Sequence, residues 1–211
     1  MVVIFDLDGT LLDTYPLIRE TLIRVFDKHL PEFRYSEATL ASFFGPPLYQ
    51  SFYGVVKNER KAKLLVDEYR RVNAEIHDQY LGIFPNAVEV LEYLKDKYPL
   101  AICSNKVHEM IVKDLKTMKV DHYFDYIVGL DDMEYPKPHP GGLEKIRSHF
   151  KKQGIFIGDT VPDIITAQAA KMISVGCTWA LTSKEQLMAV NANYIIDDFI
   201  ELIKIMEEID V

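Results

Sequence analysis

Six short apolar runs recur along the chain: VVIFDL (2–7), LAICS (100–104), YIVGL (126–130), IFIGD (155–159), ISVGCTW (173–179) and YIID (194–197). Each is apolar at consecutive rather than alternate positions and is rich in β-branched residues. A strand with no face left for water belongs in a parallel sheet covered on both sides. Segments with helical spacing separate most of the runs. Val88, Leu91, Leu94 and Tyr98 form one stripe, Ile111, Val112, Leu115 and Met118 a second, and Leu143, Ile146 and Phe150 a third. Alternating strands and amphipathic helices predict an α/β fold, a parallel sheet flanked by helices. Asn86, after Pro85, is expected to cap a helix, and Ser183 with Gln186 to form a capping box.

One interval breaks the alternation. From Thr14 to about Gly82 no convincing strand is readable. Pro16 opens a helix striped by Leu17, Ile18, Leu22, Val25, Phe26 and Leu30, and a second helix carries Leu65, Tyr69, Val72 and Ile76 on one face. The two prolines of FFGPPLY (43–49) bar a continuous helix there. Residues 1–13 with 83–211 are therefore read as the α/β domain, and 14–82 as an all-α insertion.

The 211 residues, 48% of them hydrophobic, are enough for a sizeable core. A formal charge of −8 argues against a nucleic-acid or anionic-membrane partner, because a phosphate-binding face needs clustered Lys and Arg. No apolar run approaches membrane-spanning length, and an acid occurs within six residues of Met1 in place of a basic leader segment. A cytoplasmic protein, monomeric or weakly homodimeric, is expected. Cys103 and Cys177 lie in apolar runs outside any ligand spacing and read as buried reduced thiols. The six histidines are dispersed, and each is expected at the surface or as a capped residue.

The strand ends carry the chemistry, since open parallel sheets bind ligands beyond the carboxyl ends of their strands. Asp6 and Asp8 follow the first run, Ser104 and Asn105 the second, and Asp159 and Asp163 follow IFIG, while Lys137 lies in the loop after YIVGL. Several carboxylates in one place repel one another. A hard cation removes that cost, and Mg²⁺ suits a site of few carboxylates that keeps water for a substrate oxygen. A carboxylate there can attack phosphorus while a second moves the proton. On this reading Asp6 is the nucleophile and Asp8 the acid–base. Gly9 allows a sharp turn, backbone amides and the Ser104 hydroxyl bind phosphoryl oxygens, and Lys137 supplies the opposing cation. Thr10 and Asn105 are further candidate phosphate contacts.

DLDGT (6–10), Ser104 in ICSNK, Lys137 in KPHP and GDTVPD (158–163) together resemble the four ordered motifs of the haloacid dehalogenase-like superfamily. Two aspartates in the first motif are similar to its phosphatase branch, and the insertion at 14–82 is similar to the helical cap of phosphoglycolate phosphatases. The resemblance implies a Rossmann-like sheet with the first strand central and a cap that closes over a small phosphorylated metabolite. It further implies that Asp6 and the backbone carbonyl of Asp8 bind Mg²⁺ with Asp159 and Asp163, and that Ser104 and Lys137 hold the phosphoryl group.

Other readings stand beside this one. Asp-Gly between apolar residues can be a simple turn, and Asp163 can cap the helix after Pro162. Asp13 is expected to cap a helix, Lys106 to be solvated, and Asp131 and Asp132 to form a polar loop edge. A calcium loop fails, since Leu11 and Leu17 occupy the positions that need Gly and Glu. FFGPPLYQSF, CTWALTSKEQL and DDMEYPKPHP also resemble relatives that hydrolyse inorganic pyrophosphate. A phosphohexomutase is disfavoured because Gly45, Pro46, Pro47 and Leu48 stand where such relatives place an arginine. A response-receiver-like phosphoacceptor has no use for a second acid at position 8, and a cation-binding scaffold with a dead site does not need every motif residue chemically competent.

Overall fold

A computed structural model describes residues 1–209. The elements in chain order are β1 Val2–Phe5, β2 Leu12–Asp13, α1 Tyr15–His29, α2 Glu37–Ala41, α3 Leu48–Val56, α4 Glu59–Tyr80, β3 Gly82–Ile83, α5 Ala87–Lys95 and β4 Leu100–Cys103. There follow α6 His108–Thr117, β5 Tyr126–Val128, α7 Gly141–Phe150, β6 Gly154–Gly158, α8 Val161–Ala169, β7 Ile173–Cys177, α9 Lys184–Ala189, β8 Tyr194–Ile196 and α10 Ile200–Ile209. Among the described residues, no helix is long and apolar enough to cross a membrane.

The six apolar runs form one parallel sheet in the order β5-β4-β1-β6-β7-β8. β1 is central because it pairs with β4 on one side and β6 on the other. Its residues are all fully buried, which explains why the run is apolar at every position. Val2 and Ile4 share a core with Leu143 and Ile146 of α7 and Ala167 of α8, while the Phe5 ring meets Phe124 and Phe199. Side chains that alternate across the sheet are thus covered in both directions, as a parallel strand requires.

The chain divides into two compact units, Met1–Asp13 with the segment from Ile83 onward, and Thr14–Gly82. Within the helical unit, α1 packs on α4, and Leu17, Leu22, Val25 and Phe26 are buried on one helix and Leu65, Tyr69, Val72 and Ile76 on the other. Asn73 Nδ2 donates to Thr21 Oγ1 at 3.3 Å, satisfying two buried polar groups between these helices. Phe26 is ringed by Phe33, Tyr35, Phe43 and Phe52 at centroid distances of 5.2–6.2 Å. Gly45, at φ 100°, makes the left-handed turn that separates α2 from α3.

Several local expectations need correction. A two-residue pair, β2 with β3, is too short to carry a periodic signal. Val88 is exposed, and the buried stripe of α5 is Ala87, Val90, Leu91 and Leu94. Asn86 is the N-cap of α5, but at φ 63° its side chain makes no capping bond and donates to Asp198. Asp13 ends β2, Thr14 takes the N-cap of α1, and no acid occupies that helix's first turn. His77 is buried, 2.7 Å from the Asp78 carboxylate. The Ser183–Gln186 capping box forms as expected, and both cysteines are buried free thiols.

Candidate active site

β1 and β6 are hydrogen-bonded neighbours, so the residues that follow them emerge side by side at the sheet's carboxyl edge. Asp6 extends the ladder through its amide, which donates to Ile157 O at 2.8 Å, and Asp159 follows β6 directly. Asp163 stands one turn further on, at the third position of α8. One carboxylate oxygen from each of the three lies within 4.8 Å of the others, and all three residues are buried.

Lys137 reaches into this trio. Its Nζ is 2.6 Å from Asp163 Oδ1 and 2.8 Å from Asp6 Oδ1, the second contact an ion pair outside hydrogen-bond geometry. Asp159 Oδ2 is buried with no hydrogen-bond partner among the described residues. Three carboxylates against one ammonium leave a formal charge of −2 when all are ionised. Burial pushes the Asp6 carboxyl up to about 7, with Lys137 pulling it down and Asp163 raising it further. Asp159 is likewise held well above the usual carboxylate range, by burial first and by Asp163 and Asp6 next. Lys137 moves the other way: burial favours its neutral form, but Asp163 and Asp6 outweigh that and raise its pKa. A divalent cation fits this donor set, because hard oxygen ligands, an orphaned buried oxygen and a charge deficit of two are what it satisfies.

Asp163 takes the capping role anticipated for it and also faces Lys137. Its Oδ2 accepts from the Thr160 amide and hydroxyl in a capping box, while Oδ1 faces Lys137. Gly158 makes room for it: a Cβ there would lie 2.4 Å from Asp163 Cβ. Gly158→Ala is expected to displace Asp163 and lower stability by about 1–3 kcal/mol through overpacking. Urea denaturation measures this, and an unchanged midpoint would mean that the turn absorbs the methyl group without moving the acid.

The remaining sequence candidates surround the trio in unequal ways. Gly9, at φ 81°, makes the turn after Asp8, and its amide donates to Leu12 O. The Thr10 hydroxyl donates to Asp159 Oδ1 at 2.8 Å, and its carbonyl accepts from Trp179 Nε1 at 3.0 Å, so Thr10 braces an acid. The Asn105 side chain brackets the Lys137 backbone, accepting from its amide at 2.8 Å and donating to its carbonyl at 3.4 Å. Ser104 follows β4, its amide donating to Val128 O and its hydroxyl accepting from the Lys106 amide.

Asp8 does not join the trio. Its carboxylate turns to Lys106, with Nζ 2.8 Å from Oδ1. Lys106 was expected to be solvated, but its side chain is only 19% exposed and is also paired with Asp114. Burial favours the neutral amine, yet Asp8 and Asp114 together raise its pKa above the ordinary lysine value. Asp114 and Trp179 were not anticipated as parts of the site. A lone acid on an amphipathic helix and a lone Trp carry no motif, although an acid between Ile111 and Leu115 on a buried stripe is a legible anomaly.

The geometry accords with known proteins. The family model for haloacid dehalogenase-like hydrolases matches residues 3–177. The pyrophosphatase PpaX of Bacillus velezensis is 30% identical over 207 residues, covering 96% of this chain and 94% of that protein. A "predicted phosphoglycolate phosphatase" of Haemophilus somnus superposes with a TM-score of 0.89 at 26% identity, covering 97% of each chain. A haloacid dehalogenase-like family hydrolase of Streptococcus pneumoniae gives a TM-score of 0.85 at 26% identity, again over 97% of each chain. With the ordered motifs meeting at one sheet edge and the family model spanning most of its length, this chain belongs to the haloacid dehalogenase-like hydrolases, as a phosphatase of that family.

Proposed function

We propose that the protein is a Mg²⁺-dependent phosphohydrolase that forms an aspartyl-phosphate on Asp6 and acts on a small phosphate-bearing molecule, with inorganic pyrophosphate as the first candidate. The observation that carries the chemistry is the convergence of Asp6, Asp159 and Asp163 on Lys137, buried and short of positive charge. Relatives named pyrophosphatase that align along nearly the whole chain support the substrate. Phosphoglycolate is the second reading, favoured by the likeness to the Haemophilus somnus protein.

In the proposed reaction an Asp6 carboxylate oxygen bonds to phosphorus as the bond to the leaving oxygen breaks. The leaving oxygen keeps the electron pair and takes a proton from Asp8. Water then attacks the phosphoryl group and passes a proton to Asp8 as the Asp6–phosphorus bond breaks, which frees phosphate and restores both acids. Lys137 neutralises charge on the attacking and transferred groups, and the Ser104 hydroxyl is assigned to a phosphoryl oxygen. Asp6, Asp159 and Asp163, with the Asp8 carbonyl, would hold the Mg²⁺, which when bound supplies Lewis-acid stabilisation of the phosphoryl charge. Gly9, Thr10 and Asn105 are assigned supporting positions around that group, and the helical unit Thr14–Gly82 the role of a cap. The enzyme is proposed to work in the cytoplasm as a monomer or weak homodimer, without nucleic acid or membrane.

A phosphate-release screen over pyrophosphate, phosphoglycolate, sugar phosphates and nucleotides tests this, with substrates ranked by kcat/KM. Pyrophosphate is expected to rank first, and EDTA to stop turnover until Mg²⁺ is restored. Undiminished turnover in EDTA would refute the metal role. A stable phosphoprotein that releases no phosphate would point instead to a phosphoacceptor.

A further inference from the structure

Lys106 stands two residues past Ser104, at the turn after β4. Its backbone is fixed from both sides, the amide donating to Ser104 Oγ at 3.3 Å and the carbonyl accepting from Leu130 N at 2.8 Å. From there its side chain spans two carboxylates, with Nζ 2.8 Å from Asp8 Oδ1 and 2.5 Å from Asp114 Oδ2. The Asp114 side chain is 1% exposed, against 18% for Asp8. Neither phosphate nor metal binding calls for an acid at position 114, outside the carboxylate trio. A carboxylate so buried is costly unless paired, and replacing such an ion pair with apolar residues is often neutral or stabilising. The ion pair with Asp114 does bear on Lys106: a lysine held only by its partly exposed partner keeps several free torsions, whereas one that also meets a buried carboxylate has its ammonium held in a fixed direction. That direction is toward Asp8, the one acid of the first motif turned away from the trio. A proton can move only when donor and acceptor lie within hydrogen-bond reach, so fixing the Asp8 carboxylate bears on rate.

We propose that Lys106, anchored by Asp114, is the positioning residue that holds Asp8 in place for proton transfer at the leaving-group oxygen. The inference rests on the reading of Asp8 as the acid–base. Lys106 acts through Asp8 and transfers no proton itself, and its contribution is expected to grow with the leaving group's need for a proton.

The test compares kcat/KM for phenyl phosphate and p-nitrophenyl phosphate, esters of nearly equal shape whose leaving oxygens differ in basicity. Asp8→Asn serves as the benchmark. Lys106→Met is expected to lose about 100-fold on phenyl phosphate and about tenfold or less on p-nitrophenyl phosphate, within the range of general acid catalysis. Lys106→Arg should recover most of the selective loss. Asp114→Asn, which keeps Lys106 but loosens it, should show the same pattern to a smaller degree, and wild-type rates on phenyl phosphate for that variant would overturn the anchoring. Should Lys106→Met strand the Asp114 charge and fail to fold, the double variant with Asp114→Asn removes that charge and permits the same comparison. Equal losses on the two esters, or no loss, would overturn the proposal. If Asp8→Asn is selective and Lys106→Met is not, positioning alone fails. If Asp8→Asn shows no selectivity between the two esters, the acid–base reading falls and the inference with it.

Discussion

Asp6→Asn is expected to lower kcat by on the order of 10⁴-fold or more while leaving the fold intact, since losing a nucleophile removes the covalent route and not merely one contact. Asparagine keeps nearly the same volume at a position 6% exposed, and its carbonyl oxygen can still face Lys137 Nζ. The substitution also removes one of three crowded carboxylates, so the metal-free variant should melt no lower than the wild type at neutral pH. Phosphate release and a thermal melt on the same preparation measure both effects. Near-normal turnover would take Asp6 out of the mechanism. Lost turnover with a collapsed melt would instead assign it a structural role.

Asp6 and Asp159 were legible because each sits directly after a strand whose apolar run is unmistakable. β1 and β6 lend Asp6 and Asp159 their positions through backbone pairing alone, but that these two strands are neighbours came from the family resemblance and not from the apolar runs themselves. Lys137 was legible as a lone cation in a proline-rich loop. What could not be read was which polar groups serve the substrate and which serve one another. Thr10 and Asn105 have the composition of phosphate contacts, yet their side chains are committed to Asp159 and to the Lys137 backbone. Lys106 looked solvated because lysine is rarely buried, and its partners lie 98 and 8 residues away, beyond any local pattern. The failures at Val88 and Asp13 have a different cause. Each depends on the phase of a helix start, which tertiary packing shifts by one or two residues without altering the helix itself.

The charge deficit at the trio predicts an inverted pH dependence for the metal-free protein. Asp6 has a folded pKa of about 7 against an ordinary value of 3.8, and Asp159 is shifted in the same direction. A carboxyl that holds its proton more tightly when folded contributes stability that is complete below the unfolded pKa and is lost as pH rises through the folded one. For Asp6 the full span is on the order of 4 kcal/mol, of which about 2 kcal/mol falls between about pH 5.5 and about pH 8. EDTA-treated wild type should therefore lose stability across that interval, and Asp6→Asn should lose distinctly less. Mg²⁺ reverses the trend, because it binds the deprotonated carboxylates and stabilises the folded state by mass action, by about 2.7 kcal/mol at 100 times its dissociation constant. Its stabilising effect should be large at about pH 8 and small at about pH 5.5, where protons compete for the same oxygens. Calorimetric melts with and without Mg²⁺ at the two pH values decide the matter. An equal Mg²⁺ shift at both would mean that the ion binds elsewhere, and that the buried acids after β1 and β6 and in α8 are held by Lys137, Thr10 and Thr160 without it.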